Sequence, residues 1–248
     1  MKTNFEKIYV ISPIENKNRR EFIKYQMRNL GLDFEFIYGI DFNNLKHDQY
    51  GEDINYPDLI YRYNHLNNDK LFGLTMAHYY AVLNAYELRY NNVLIIEDDI
   101  CFLNDKNELY FILSSIPNDI DFITFTSRFK DINEVMEFKE YQKMFDDGNS
   151  NTFIEIPNYF KTLCGALMYG LMNRKTMQLY LNNQKIMLNN RDCISNIYIN
   201  PTIKRYTTLY SICIDQFSRS EKTNKYDKFN LFYEQCNIVK NFDNYFKE

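Results

Sequence analysis

Tryptophan is absent from this 248-residue chain and histidine occurs only three times. So few histidines argue against a metal-dependent phosphohydrolase, which would need more scattered Asp and His ligands. The five cysteines, Cys101, Cys164, Cys193, Cys213 and Cys236, form no C-x-x-C pair. Their odd number and wide scatter argue against a disulfide framework and predict reduced, mostly buried thiols in a cytoplasmic protein. No segment approaches the length of a membrane span, and the apolar part of MKTNFEKIYVIS is too short for a signal peptide. Basic residues are not in excess: the net charge is −4, so no nucleic-acid footprint is indicated. With no Gly/Ser linker, internal repeat or break in composition, a single domain over residues 1–248 is expected.

What is present suffices for a substantial core, at 45% hydrophobic residues. EKIYVIS (6–12) reads as a strand. NKNRREFIKYQMRNLG follows as an amphipathic helix, with Ile23, Met27 and Leu30 on one face and Gly31 as its stop. FEFIYGID (34–41) completes a β-α-β start. Residues 42–69 are polar and read as an excursion loop. From Gly73 to Arg89, the residues Leu74, Ala77, Ala81, Ala85 and Leu88 mark a helix face. VLII (93–96), DFITFTS, TFIEI, GALMYGL, a helix from Asn173 and YTTLYSICI continue an α/β chain. The charged stretch 130–151 reads as a partly helical surface insertion and 225–248 as a C-terminal extension. The alternation predicts an open, mostly parallel central sheet, which binds ligands beyond the carboxyl ends of its strands.

At one such end NNVLIIEDDICF places Glu97, Asp98 and Asp99 in a row. Like charges repel and resist desolvation, so packing gives no reason for them. Two readings stand: a solvated turn, or a site for a hard divalent ion, which takes oxygen ligands. In extended geometry Glu97 and Asp99 share a side and Asp98 points away.

LIIEDDICF resembles the LILEDDV segment of glycosyltransferase family 25, which includes lipooligosaccharide galactosyltransferases and collagen galactosyltransferase domains. Other segments are similar in the same order. VISPIENKNRREF resembles the family's opening strand and places Arg19 on its usual arginine. FGLTMAHYYAVLNAY resembles the G-C-x-x-S-H helix at Gly73 and His78. GALMYGLMNRKTMQLYL matches a further motif at Gly165, Tyr169 and Arg174. NNRDCI and SICIDQ put Asp192 and Gln216 on family positions. Pro13, Leu71, Ala77 and Asn190 depart from the pattern, leaving donor sugar and acceptor open.

The resemblance implies a GT-A-like single domain that transfers a hexose, most often galactose from UDP-galactose, with inversion and a divalent ion (Mn2+ or Mg2+). The acceptor would be a glycan, of lipooligosaccharide type or protein-linked. Asp99 with Glu97 would hold the ion, and Ser12, Arg19, Gly73, His78, Glu97, Asp98, Gly165 and Gln216 would line the donor site. A carboxylate remote from the metal must take the acceptor's proton. Asp192 is the first candidate, against the reading that it caps a helix; Asp215 and Glu155 are alternatives. His78 could equally be a satisfied core histidine, Arg19 a solvated helix-start arginine, and Ser12 a strand end bonded to its own backbone. Gly73 and Gly165 could serve only turns.

The Tyr-rich loop YGEDINYPDLIYRY suits stacking on a sugar ring, but with 22 tyrosines in the chain it carries little weight. Residues 225–248 mix Lys with aromatics, as for peripheral membrane contact, though their acidic residues favour a packed or frayed helix. A second function class remains open: a catalytically silent GT-A-like domain that binds sugar nucleotides or partner proteins.

Overall fold

The structure, a computed structural model, describes residues 3–14, 16–39, 69–126, 132–145, 153–157, 167–187, 202–209 and 212–215. Strand β1 (Lys7–Pro13) leads into helix α1 (Lys17–Leu30) and strand β2 (Glu35–Gly39). Helix α2 (Asp69–Glu87), β3 (Val93–Glu97), β4 (Ile100–Phe102) and α3 (Lys106–Ser114) follow. Next come β5 (Phe122–Thr124), α4 (Ile132–Lys143), β6 (Phe153–Glu155) and β7 (Met168–Leu171). Helix α5 (Arg174–Met187), β8 (Arg205–Thr208) and β9 (Cys213–Asp215) complete the described elements.

Seven strands form one sheet in the order β2-β1-β3-β7-β5-β8-β6, and β4 pairs with β9 in a second. The large sheet is mixed. β2, β1 and β3 are mutually parallel, β7 runs against both β3 and β5, β8 is parallel to β5, and β6 runs against β8. Five of the seven strands therefore point the same way, in the α/β class that the sequence predicts.

The apolar run of β3 follows from its place. Val93 and Ile95 join one core with Ala77, Ala81 and Ala85 of α2 and Met177 and Tyr180 of α5. Leu94 and Ile96 join another with Ile23, Met27 and Leu30 of α1 and Leu109 and Leu113 of α3. These four apolar side chains of β3 are fully buried because helices cover both faces of the sheet. Leu88, expected on the α2 face, lies past the helix end and is exposed. The expected stop of α1 is observed: Gly31 takes φ 69°, and the N–H groups of Gly31 and Leu32 return to the carbonyls of Arg28 and Met27.

Within the stretch read as a surface insertion, α4 forms over Ile132–Lys143 and sinks Phe138 into the α2 core. Helix α3 carries a full capping box. Asp105 accepts from the backbone of Asn107 and Glu108, and Glu108 reaches back to the Asp105 N–H. Gly165, Asp192, Gln216, nearly all of loop 42–69 and the extension 225–248 lie outside the described residues.

Candidate functional site at the carboxyl ends of β1 and β3

β1 and β3 are adjacent and parallel, with Ile11 opposite Glu97, so Ser12 and Asp98 emerge side by side. Strand alternation sends Glu97 and Asp98 to opposite faces of the sheet. Glu97 meets α2, where His78 Nε2 stands 3.3 Å from its Oε1. Asp98 meets the α1 side, where Ser12 donates to its Oδ2 at 2.6 Å. Asp98 and Asp99 form the turn after the strand, and Arg19 Nη1 lies 3.7 Å from Asp98 and 3.3 Å from Asp99. The alternation therefore ends at Asp98: Arg19 gathers Asp99 to the Asp98 side, although side-chain exposure still sorts Glu97 and Asp99, at 16% each, from Asp98 at 5%.

Burial holds the Asp98 carboxyl above the ordinary aspartate range. The Ser12 hydrogen bond and the Arg19 charge pull against that rise, and Glu97 adds to it. Beside this cluster Arg20, itself buried, donates to the Pro13 carbonyl and, at 2.5 Å, to that of Ile14. Its Nη1 also lies 3.4 Å from Ser12 Oγ. Arg20 thus ties the turn after β1 to the first turn of α1.

His78 is fully buried, and its Nδ1 lies 2.9 Å from the hydroxyl of Tyr169 on β7. Gly73 is buried on α2, about a turn and a half before His78. Of the predicted residues, the structure brings together Ser12, Arg19, His78, Glu97, Asp98 and Asp99. It also sets the backbone of Asp215 opposite Ile100, next to the acidic turn. Glu155 stands apart, on edge strand β6 four strands from β3, about 19 Å at the usual strand spacing.

Two contributors escape the sequence reading: Arg20, and the pairing of Tyr169 with His78. Arg20 had a legible signal. Two arginines occupy the first turn of α1, where the helix dipole disfavours cations, so something there must offer them oxygen acceptors. Among the described residues no three His, Cys, Asp or Glu side chains converge on a metal position. The carboxylate oxygens are nonetheless the donors a hard ion takes, and such an ion commonly uses one or two of them beside substrate phosphates.

A sheet whose carboxyl edge gathers carboxylates and an arginine belongs to an α/β protein with a polar ligand site at that edge. The chain belongs to glycosyltransferase family 25, described as LPS biosynthesis protein, whose family model matches residues 5–194. It is a glycosyltransferase, and acts on a sugar donor and an acceptor. No curated protein matches the chain. A crystal structure of a glycosyltransferase involved in the glycosylation of the major capsid of PBCV-1 is similar over 91% of this chain and 99% of that one. The two are 10% identical in sequence, with a TM-score of 0.43. Among the described residues no helix is long and apolar enough to cross a membrane.

Proposed function

We propose that this glycosyltransferase moves a hexose, galactose from UDP-galactose, to a glycan acceptor of lipooligosaccharide or protein-linked type, with inversion and the help of a divalent ion. The observation that carries the reading is the meeting of Ser12, Arg19, Asp98 and Asp99 at the ends of two adjacent parallel strands. Asp99, on the Arg19 side, would hold Mn2+ or Mg2+ together with Glu97, which reaches the same strand end from the α2 face. When bound, such an ion stabilises the charge that builds on the leaving diphosphate. Arg19 is 41% exposed and free enough in its reach to turn from Asp99 to a phosphate oxygen. Ser12 and Asp98 bond each other and so fix the floor on which the donor rests.

Inversion requires a base on the face opposite the diphosphate. Asp192 takes the acceptor's proton in this scheme. Asp215, whose backbone borders the acidic turn, is the alternative. Glu155, on edge strand β6 four strands from β3, is the more distant alternative.

A specific observation favours a second reading, a silent sugar-nucleotide-binding domain. Each carboxylate already has a partner within the chain: His78 for Glu97, Ser12 for Asp98 and Arg19 for Asp99. A screen of nucleotide sugars, with UDP release followed in Mn2+ and in EDTA, separates the two. Turnover lost in EDTA is expected; binding without turnover of any donor would establish the silent reading. Asp192→Asn should abolish transfer and keep donor affinity, and retained transfer would pass the base role to Asp215.

A further inference from the structure

Tyr169, His78 and Glu97 form an unbroken chain of contacts from the middle of the sheet to its carboxyl edge. Tyr169 stands on β7 opposite Ile95 of β3, on the face that also carries Glu97 two residues on. Its ring lies between Phe122, with centroids 5.8 Å apart, and His78, with centroids 5.6 Å apart. Both Tyr169 and His78 are fully buried. Nδ1 of His78 is 2.9 Å from the Tyr169 hydroxyl and Nε2 is 3.3 Å from Glu97 Oε1.

The chemistry of the three groups gives this chain a direction. An ionised carboxylate only accepts hydrogen bonds, so Nε2 must carry a proton to satisfy Glu97. A neutral imidazole has one N–H, which leaves Nδ1 as an acceptor. The phenol, able to donate or accept, then has to donate. We propose that Tyr169 is a positioning residue: by donating to Nδ1 it holds His78 as the Nε2–H tautomer and so aims a single N–H at the Glu97 carboxylate. The register of β7, with Tyr169 opposite Ile95, puts the hydroxyl on the sheet face that α2 and its histidine cover. The consequence for ligand binding rests on the reading of Glu97 as part of the metal and donor site. There Tyr169 acts through His78 to fix which oxygen of Glu97 faces outward.

The test uses the full chain, labelled with 15N. With three histidines in the sequence, long-range 1H–15N correlation resolves each imidazole, and His78→Gln assigns the His78 signals by their loss. In the wild type, Nε2 of His78 should be protonated and Nδ1 bare. A proton on Nδ1, alone or with one on Nε2, overturns the proposal, and this spectrum decides it even if a variant fails to fold. In Tyr169→Phe, where only Glu97 still favours Nε2–H, the share of the other tautomer should rise.

UDP affinity, measured by calorimetry with Mn2+ and again with EDTA, provides the functional arm. Tyr169→Phe should lower the Mn2+-dependent affinity on the order of tenfold and leave the EDTA value unchanged, whereas a purely structural role would lower both or neither. Equal affinities of the two proteins in Mn2+ overturn the positioning role. A wild type whose UDP binding ignores Mn2+ overturns the metal-site reading instead, and the tautomer spectrum still decides the hydrogen bond.

Discussion

Ser12 and Asp98 meet through a 2.6 Å hydrogen bond across the joint between β1 and β3, with both residues buried. Removing the hydroxyl leaves a buried carboxyl one donor short, since Arg19 is 3.7 Å away and partly in solvent. Ser12→Ala should therefore cost about 1–3 kcal/mol of stability, measured by urea unfolding at pH 7. A variant as stable as wild type would show that the hydroxyl does not support the turn.

Burial raises the Asp98 carboxyl above its unfolded value, so the folded protein holds this proton more tightly than the unfolded chain. The sign follows from linkage: the contribution is fully present below the unfolded aspartate value and is lost as pH rises through the raised folded one. Compared in EDTA across that window, wild type should lose stability relative to Asp98→Asn as pH increases. A pH-independent difference between the two proteins would contradict the raised carboxyl.

Arg19 bridges Asp98 and Asp99 from a position 41% exposed, so its ion pairs contribute little to folding. Arg19→Ala should change stability by less than about 1 kcal/mol while weakening UDP binding. Lysine should not restore the binding, because a single ammonium cannot reproduce the planar fork. Calorimetry on both variants checks this, and full affinity in Arg19→Ala would remove Arg19 from the donor site.

Asp99→Asn keeps the size of the side chain and removes its charge. UDP affinity in Mn2+ should fall toward the value measured in EDTA, with little change in melting temperature. Unchanged Mn2+ dependence would exclude Asp99 as a ligand.

Gly170 sits in β7 opposite Leu94 on one side and Ile123 on the other. A Cβ there would come within 2.7 Å of the Phe5 ring and 2.9 Å of the Ile123 side chain. Gly170→Ala should destabilise by about 1–3 kcal/mol through overpacking, and Phe5→Leu in the same chain should recover part of the loss. Additive losses in the double variant would place the strain elsewhere.

How far the sequence reaches depends on the range of the interaction that decides each feature. α1 was legible because Ile23, Met27, Leu30 and Gly31 carry both its face and its stop locally. β3 was legible from its unbroken apolar run. Helix α3 is written locally as well, in the capping box of Asp105 and Glu108 and in Leu109, Ile112 and Leu113 at i, i+3, i+4 spacing, yet the sequence reading passes over it. The reversal of β7 between β3 and β5 left no local mark, since pairing direction is fixed by chain segments far apart in sequence. In the site, alternation correctly parted Glu97 from Asp98. The side taken by Asp99 depended on Arg19, eighty positions away, which no spacing rule reaches.

The family match stops at residue 194, and the architecture does not. β8 (Arg205–Thr208) lies between β5 and β6, and β9 (Cys213–Asp215) lines Asp215 up against Ile100, just after the acidic turn. Among the described strands, a polypeptide ending at the homology boundary would leave β5 with a bare edge, β6 without a neighbour and β4 unpaired, each a template for association with other chains. Recognisable ancestry and cooperative folding thus have different limits in this protein. The late segments, beyond the family match, cover the lateral edge of β5 and pair β4.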